Sequence, residues 1–102
     1  DKNMRGRRAK QGKLAGTGAA INVVLGFKPD YVRVINVTQK SITEMTPLMS
    51  AAKGIQTLDS GSGTTDIAEL SSAGITLTES GFKLGTNAAL NTASDVIYYI
   101  AW

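Results

Sequence analysis

The run Val96-Ile97-Tyr98-Tyr99-Ile100-Ala101-Trp102 constrains the fold more than any other stretch of this sequence. It has the length of a strand and is dense in β-branched and aromatic side chains, which pack well on a pleated surface. Tyr31-Val32-Arg33-Val34-Ile35-Asn36-Val37 repeats that composition, and Pro29-Asp30 marks its start. Strand residues alternate sides, so Val32 and Val34 share one face while Tyr31, Arg33, Ile35 and Val37 share the other. Ile21-Asn22-Val23-Val24-Leu25 opens further β-rich material. Ile75-Thr76-Leu77-Thr78 and Phe82-Lys83-Leu84 also alternate, and they flank Glu79-Ser80-Gly81, a pattern that predicts a hairpin. Together these runs predict an all-β chain: a small antiparallel β-sandwich or barrel-like domain, for which Greek-key connections are natural.

Between Ser41 and Thr65 the pattern loosens. Met45-Thr46-Pro47-Leu48-Met49 reads as a loop, and Leu58-Asp59-Ser60-Gly61-Ser62-Gly63-Thr64-Thr65 is a turn cluster. Asp66 followed by Glu69 predicts one short helical turn, with Ile67 and Leu70 facing inward. Gly-Phe-Lys occurs at Gly26-Phe27-Lys28 and again at Gly81-Phe82-Lys83. In each copy glycine is expected to close a turn at positive φ before the phenylalanine enters the core. No fixed period extends the likeness, which argues against a duplicated unit.

Charge divides the chain in two. In residues 1–13, Lys2, Arg5, Arg7, Arg8, Lys10 and Lys13 oppose only Asp1, a local charge of +5; the remainder has five cationic against seven acidic residues, giving −2. Residues 1–20 also hold almost no large apolar side chains, so they are expected to bury too little surface to offset their ordering entropy. The expected organisation is a basic extended N-terminal arm over residues 1–20 and a β-sandwich domain over residues 21–102.

The residue inventory restricts chemistry. Cysteine and histidine are absent, removing the usual neutral-pH base, the thiolate nucleophile and the commonest metal ligands. The carboxylates Asp59, Asp66 and Glu69 sit in or beside a Gly/Ser-rich loop, without an apolar wall to shift their pKa. Gly61-Ser62-Gly63-Thr64-Thr65-Asp66 and Gly16-Thr17-Gly18-Ala19-Ala20 do not continue into a phosphate-binding Gly-Lys-Ser/Thr. Asn36-Val37-Thr38 matches a glycosylation sequon at the end of a strand and reads as coincidence. An enzyme is not expected, nor is a cofactor or a metal. No apolar run approaches the roughly 18 residues of a membrane span, so no membrane partner is expected.

One arrangement is more specific. Gly26-Phe27-Lys28-Pro29-Asp30-Tyr31-Val32 comes early, Gly74-Ile75-Thr76 follows, then Gly81-Phe82-Lys83-Leu84-Gly85 with Asn87 close behind, and Tyr98-Tyr99-Ile100-Ala101-Trp102 closes the run. This order resembles that of small β-rich structural proteins of tailed bacteriophages, over residues 21–102; the basic arm and the stretch from Ser41 to Thr65 have no counterpart in it. The resemblance implies a virion structural protein, foremost a capsid decoration or cement protein on the capsid exterior, assembled in the host cytoplasm and clamping adjacent capsomers. A tail or fibre component is the alternative it leaves open. The implied partners are the major capsid protein or another virion protein, and further copies of the chain, as trimers.

Two groups of residues are candidates for partner contact. Arg5, Arg7, Arg8, Lys10 and Lys13 could pair with acidic groups on a neighbour. Met45, Leu48 and Met49 offer an adaptable apolar contact, with a lid over their own core as the competing assignment. The basic arm also suits phosphate neutralisation, making a nucleic-acid-binding accessory protein the third reading. The β-rich part lacks a recognition helix and interleaved aromatic and basic residues, so nucleic acid is not the expected partner.

Overall fold

In a computed structural model, residues 9–59 and 65–102 are described, and all regular structure in them is β-strand. In chain order the strands are β1 (Lys10–Ala15), β2 (Ile21–Val24), β3 (Val32–Asn36), β4 (Ser41–Met45), β5 (Ile55–Asp59), β6 (Thr65–Glu69), β7 (Ile75–Thr78), β8 (Gly81–Leu84) and β9 (Val96–Ala101). A six-stranded sheet has the order β1-β9-β3-β4-β5-β6, and a three-stranded sheet has the order β2-β8-β7. Every neighbouring pair is antiparallel. The expected all-β sandwich is the observed architecture.

The core lies between the sheets. Val23, Ile75, Phe82 and Leu84 enter it from the small sheet; Val32, Val34, Met45, Ile97 and Ala101 enter from the large one. Leu25, Phe27 and Leu90 join from connecting segments. Phe82 and Tyr99 meet edge to face across the layers, with ring centroids 5.4 Å apart, a geometry that adds to the benefit of burial. The predicted hairpin is present: Thr78 pairs with Gly81 around the two-residue turn at Glu79 and Ser80.

One end of the sandwich is closed by polar side chains. The segment joining β8 to β9 is held by Ser41 Oγ, which donates to the Ala89 carbonyl at 2.5 Å, and by Asn36 Nδ2, which donates to the Leu90 carbonyl at 3.1 Å. Asn91 accepts from the Thr17 amide and donates to the carbonyls of Ala19 and Gly85, tying this segment to the β1–β2 connection. Gln56 Nε2 donates to Thr43 Oγ1 and Asn87 Oδ1, both at 3.1 Å. Each of these buried polar groups therefore has a partner, as burial requires. The same network encloses Asn36, so its amide is not presented for modification.

Four expectations need correction. Lys10–Ala15 is not an unpaired arm but strand β1, laddered against β9 from Lys10↔Ala101 to Ala15↔Val96. Backbone pairing with β9 supplies what the side chains lack, and Leu14 adds an apolar contact to the core; residues 1–8 of the expected arm lie outside the described residues. Asp66 to Glu69 is strand, not a helical turn: Ile67 pairs with Thr57 and is 70% exposed. An isolated turn of helix fixes many dihedrals for a single hydrogen bond, whereas the β5–β6 ladder gains several. The two Gly-Phe-Lys glycines differ. Gly26 has φ +90° as expected, but Gly81 lies in β8, where an added Cβ would sit 1.9 Å from the Val23 carbonyl oxygen. Close approach of β2, not positive φ, requires glycine there. Finally, Met45 is a core residue and only 1% exposed, because it faces inward with Ser41 and Thr43 on β4.

Candidate interaction surface

Antiparallel register assigns each residue of the large sheet to a face, because directly opposed residues share one. Lys13, Tyr98, Ile35, Ile42, Thr57 and Ile67 form one row across all six strands on the side away from the core. A second outward row contains Gln11, Ile100, Arg33, Glu44, Ile55 and Glu69. A solvated antiparallel sheet face is normally polar, and the small sheet keeps near that rule: Asn22, Lys83 and Thr76 are opposed on its outer side, where Val24 is the one large apolar residue. The large sheet departs from it. Ile35, Ile42 and Ile100 are half-buried by their neighbours, while Tyr98 and Ile55 are each 42% exposed. No second layer of described residues lies over them.

The face has an aromatic end and a groove. Tyr31 and Trp102 meet edge to face at 5.1 Å, and their backbones pair through Trp102 N to Tyr31 O at 3.0 Å and Tyr31 N to Trp102 O at 2.9 Å. The Tyr31 hydroxyl donates to Glu44 Oε2 at 2.5 Å. Burial, then that bond and the charge of Glu44, push the Tyr31 phenol up to about 12. Beside them Arg33 Nε is buried without a hydrogen-bond partner. Between β1, β9 and β3 runs a groove of about 350 Å³, lined by residues that include Lys13, Ile35, Tyr98 and Ile100. The Lys13 ammonium stands 5.6 Å from the centroid of the Tyr98 ring, partly neutralising the lysine's hydration demand.

The candidate residues separate on the structure. Lys10 and Lys13 sit on β1, on opposite faces of the sheet; Arg5, Arg7 and Arg8 lie outside the described residues. Of the three apolar candidates, Met45 is in the core, Met49 packs against it, and Leu48 projects at 96% exposure. Both methionines therefore pack in or against their own core, and Leu48 alone remains a candidate for contact there. Sequence reasoning passed over the isoleucine face. Its signal was available in Tyr31, Arg33, Ile35 and Val37, grouped on the face opposite Val32 and Val34: two β-branched apolar residues on each side are more than a one-sided sheet requires.

Among the described residues no cluster of acidic side chains is placed to hold a metal ion, and no helix is long and apolar enough to cross a membrane. No family model matches the sequence, and neither a curated protein nor a solved structure matches it significantly.

Proposed function

We propose that this chain is a structural protein of a tailed-phage virion: a decoration subunit that lies on the outside of the capsid and clamps adjacent capsomers. The observation that carries the reading is the apolar outer face of the six-stranded sheet, with Tyr98, Ile35, Ile42 and Ile67 in one row. Extensive apolar patches of this kind mark contact with another macromolecule. This one is broad and shallow, which suits a large protein partner better than a small substrate. Arg33 and Glu44 within it add polar groups that fix orientation.

Clamping follows from repetition. Each subunit contributes a modest contact, and an array of them on a shell gains avidity from effective concentration without a deep pocket. A bridge across two capsomers must break before they separate, so the array resists outward pressure. Arg5, Arg7 and Arg8 add positive charge that draws the subunit toward acidic groups of the shell. The resemblance of the motif order to that of small phage structural proteins supports the same reading.

Decoration of shells that lack the protein tests it. Ile35→Lys combined with Ile42→Lys should abolish binding to such shells while the circular dichroism spectrum stays that of a β-protein. Binding at the parent level would remove this face from the mechanism. A copy number per particle that scales with the capsomers supports the shell assignment; the copy number of a single ring would transfer the protein to the tail.

A further inference from the structure

The six-stranded sheet has two open edges of opposite charge. At one edge β1 carries Lys10 and Lys13 and no acidic residue; at the other β6 carries Asp66 and Glu69 and no basic residue. All four side chains are exposed, and none forms an ion pair among the described residues. Among the described residues each strand is hydrogen-bonded on one side only, β1 to β9 and β6 to β5, so each presents there a row of unpaired backbone donors and acceptors. The two edges have similar lengths, six residues and five. Every residue of β6 is exposed, an unusual condition for a strand that has no further role.

We propose that copies of this chain join edge to edge, β1 of one pairing with β6 of the next, so that the large sheet continues from molecule to molecule. The two strands run in opposite directions within the sheet, because five antiparallel steps separate them. A neighbouring copy in the same orientation therefore adds its β1 antiparallel to β6, with outer face continuing outer face. Lys13 and Glu69 then lie together on the outer face of the joint and Lys10 and Asp66 on the inner face, so a basic edge meets an acidic one. Self-pairing of like edges is disfavoured: β1 against β1 brings two basic edges together, and β6 against β6 two acidic ones. The contact is consequently head to tail. Such a contact closes into a ring where the rotation per copy permits and otherwise extends as a filament. This inference stands apart from the virion reading, since edge pairing can persist where shell binding fails and the reverse.

Sedimentation of the full chain at low salt reads the association directly. Lys10→Glu with Lys13→Glu makes both edges acidic; Asp66→Lys with Glu69→Lys makes both basic. Each double variant alone should associate at least about tenfold more weakly than the parent, and an equimolar mixture of the two should regain the parent's association. A parent that stays monomeric at sub-millimolar concentration, or a double variant that associates as well as the parent, overturns the proposal. A second measurement covers the event that a charge variant misfolds, and it uses the absence of cysteine from the sequence. Gln11→Cys and Ile67→Cys proteins, mixed and mildly oxidised, should give the mixed disulfide dimer in excess of both homodimers. A statistical distribution of the three dimers would overturn it equally.

Discussion

Tyr99 lies across Gly12. The two are directly opposed on β9 and β1, and a Cβ added to Gly12 would stand 2.6 Å from the Tyr99 Oη and 2.7 Å from its ring. The ring cannot yield cheaply, because its other side packs edge to face on Phe82. Gly12 is thus the residue that lets a strand so poor in apolar side chains dock. Gly12→Val should cost about 1–3 kcal/mol, the usual penalty for overpacking. Hydrogen exchange gives the sharper readout: amides of β1 should lose protection while those of β3 keep theirs.

Asp95 is buried and accepts from Asn36 Nδ2 at 2.8 Å, Gln39 Nε2 at 3.1 Å and the Thr92 amide at 3.0 Å. Burial works against its charge, but the hydrogen bonds outweigh it and hold the carboxyl below its ordinary value. A carboxyl depressed in the folded state contributes stability above the unfolded pKa of about 3.9. That contribution is lost as pH falls through the folded value. Asp95→Asn turns a nitrogen toward these donors, so about 2 kcal/mol of stability should go at neutral pH. Denaturation midpoints taken from neutral to acid should fall less steeply in the variant than in the parent.

Tyr31 responds at the other end of the pH scale. Its neutral phenol is the favoured form, so its contribution is complete below the ordinary phenol pKa of about 10. The contribution is lost as pH rises through about 12. A phenolate absorbance titration should show a step near that value that Tyr31→Phe removes. The same variant should lose about 1–2 kcal/mol at neutral pH, since it deletes a hydrogen bond to a charged acceptor.

Strands that place apolar side chains toward the core were legible in the sequence, and β3, β7, β8 and β9 fell where the alternation put them. β4 and β5 were not, for a specific reason. Their inward positions include Ser41, Thr43 and Gln56, whose side chains hold the β8–β9 connection or one another, while Ile42 and Ile55 face outward. The pattern is present but inverted, so a search for apolar alternation finds no inside. β1 escaped notice because its docking depends on Tyr99, a partner more than eighty positions away in sequence. β6 resembled a capping sequence, and only its pairing with β5 overrides that local preference. The candidate surface was hidden for a related reason: register decides which isoleucines stand together, and register is a long-range property.

The position of β9 also governs how the molecule is made. This strand leaves the ribosome after the other eight, yet its place is inside the large sheet, between β1 and β3. The β3–β6 meander can assemble while synthesis continues, but β1 must wait, and β3 keeps a naked flank beside Val32 and Val34. Closure is then a late, distant zippering step, slow by its topology and vulnerable to aggregation until it is complete. A cell producing this protein in quantity would be expected to depend on chaperones during that interval, and chains stalled before Val96 would be the ones that clump.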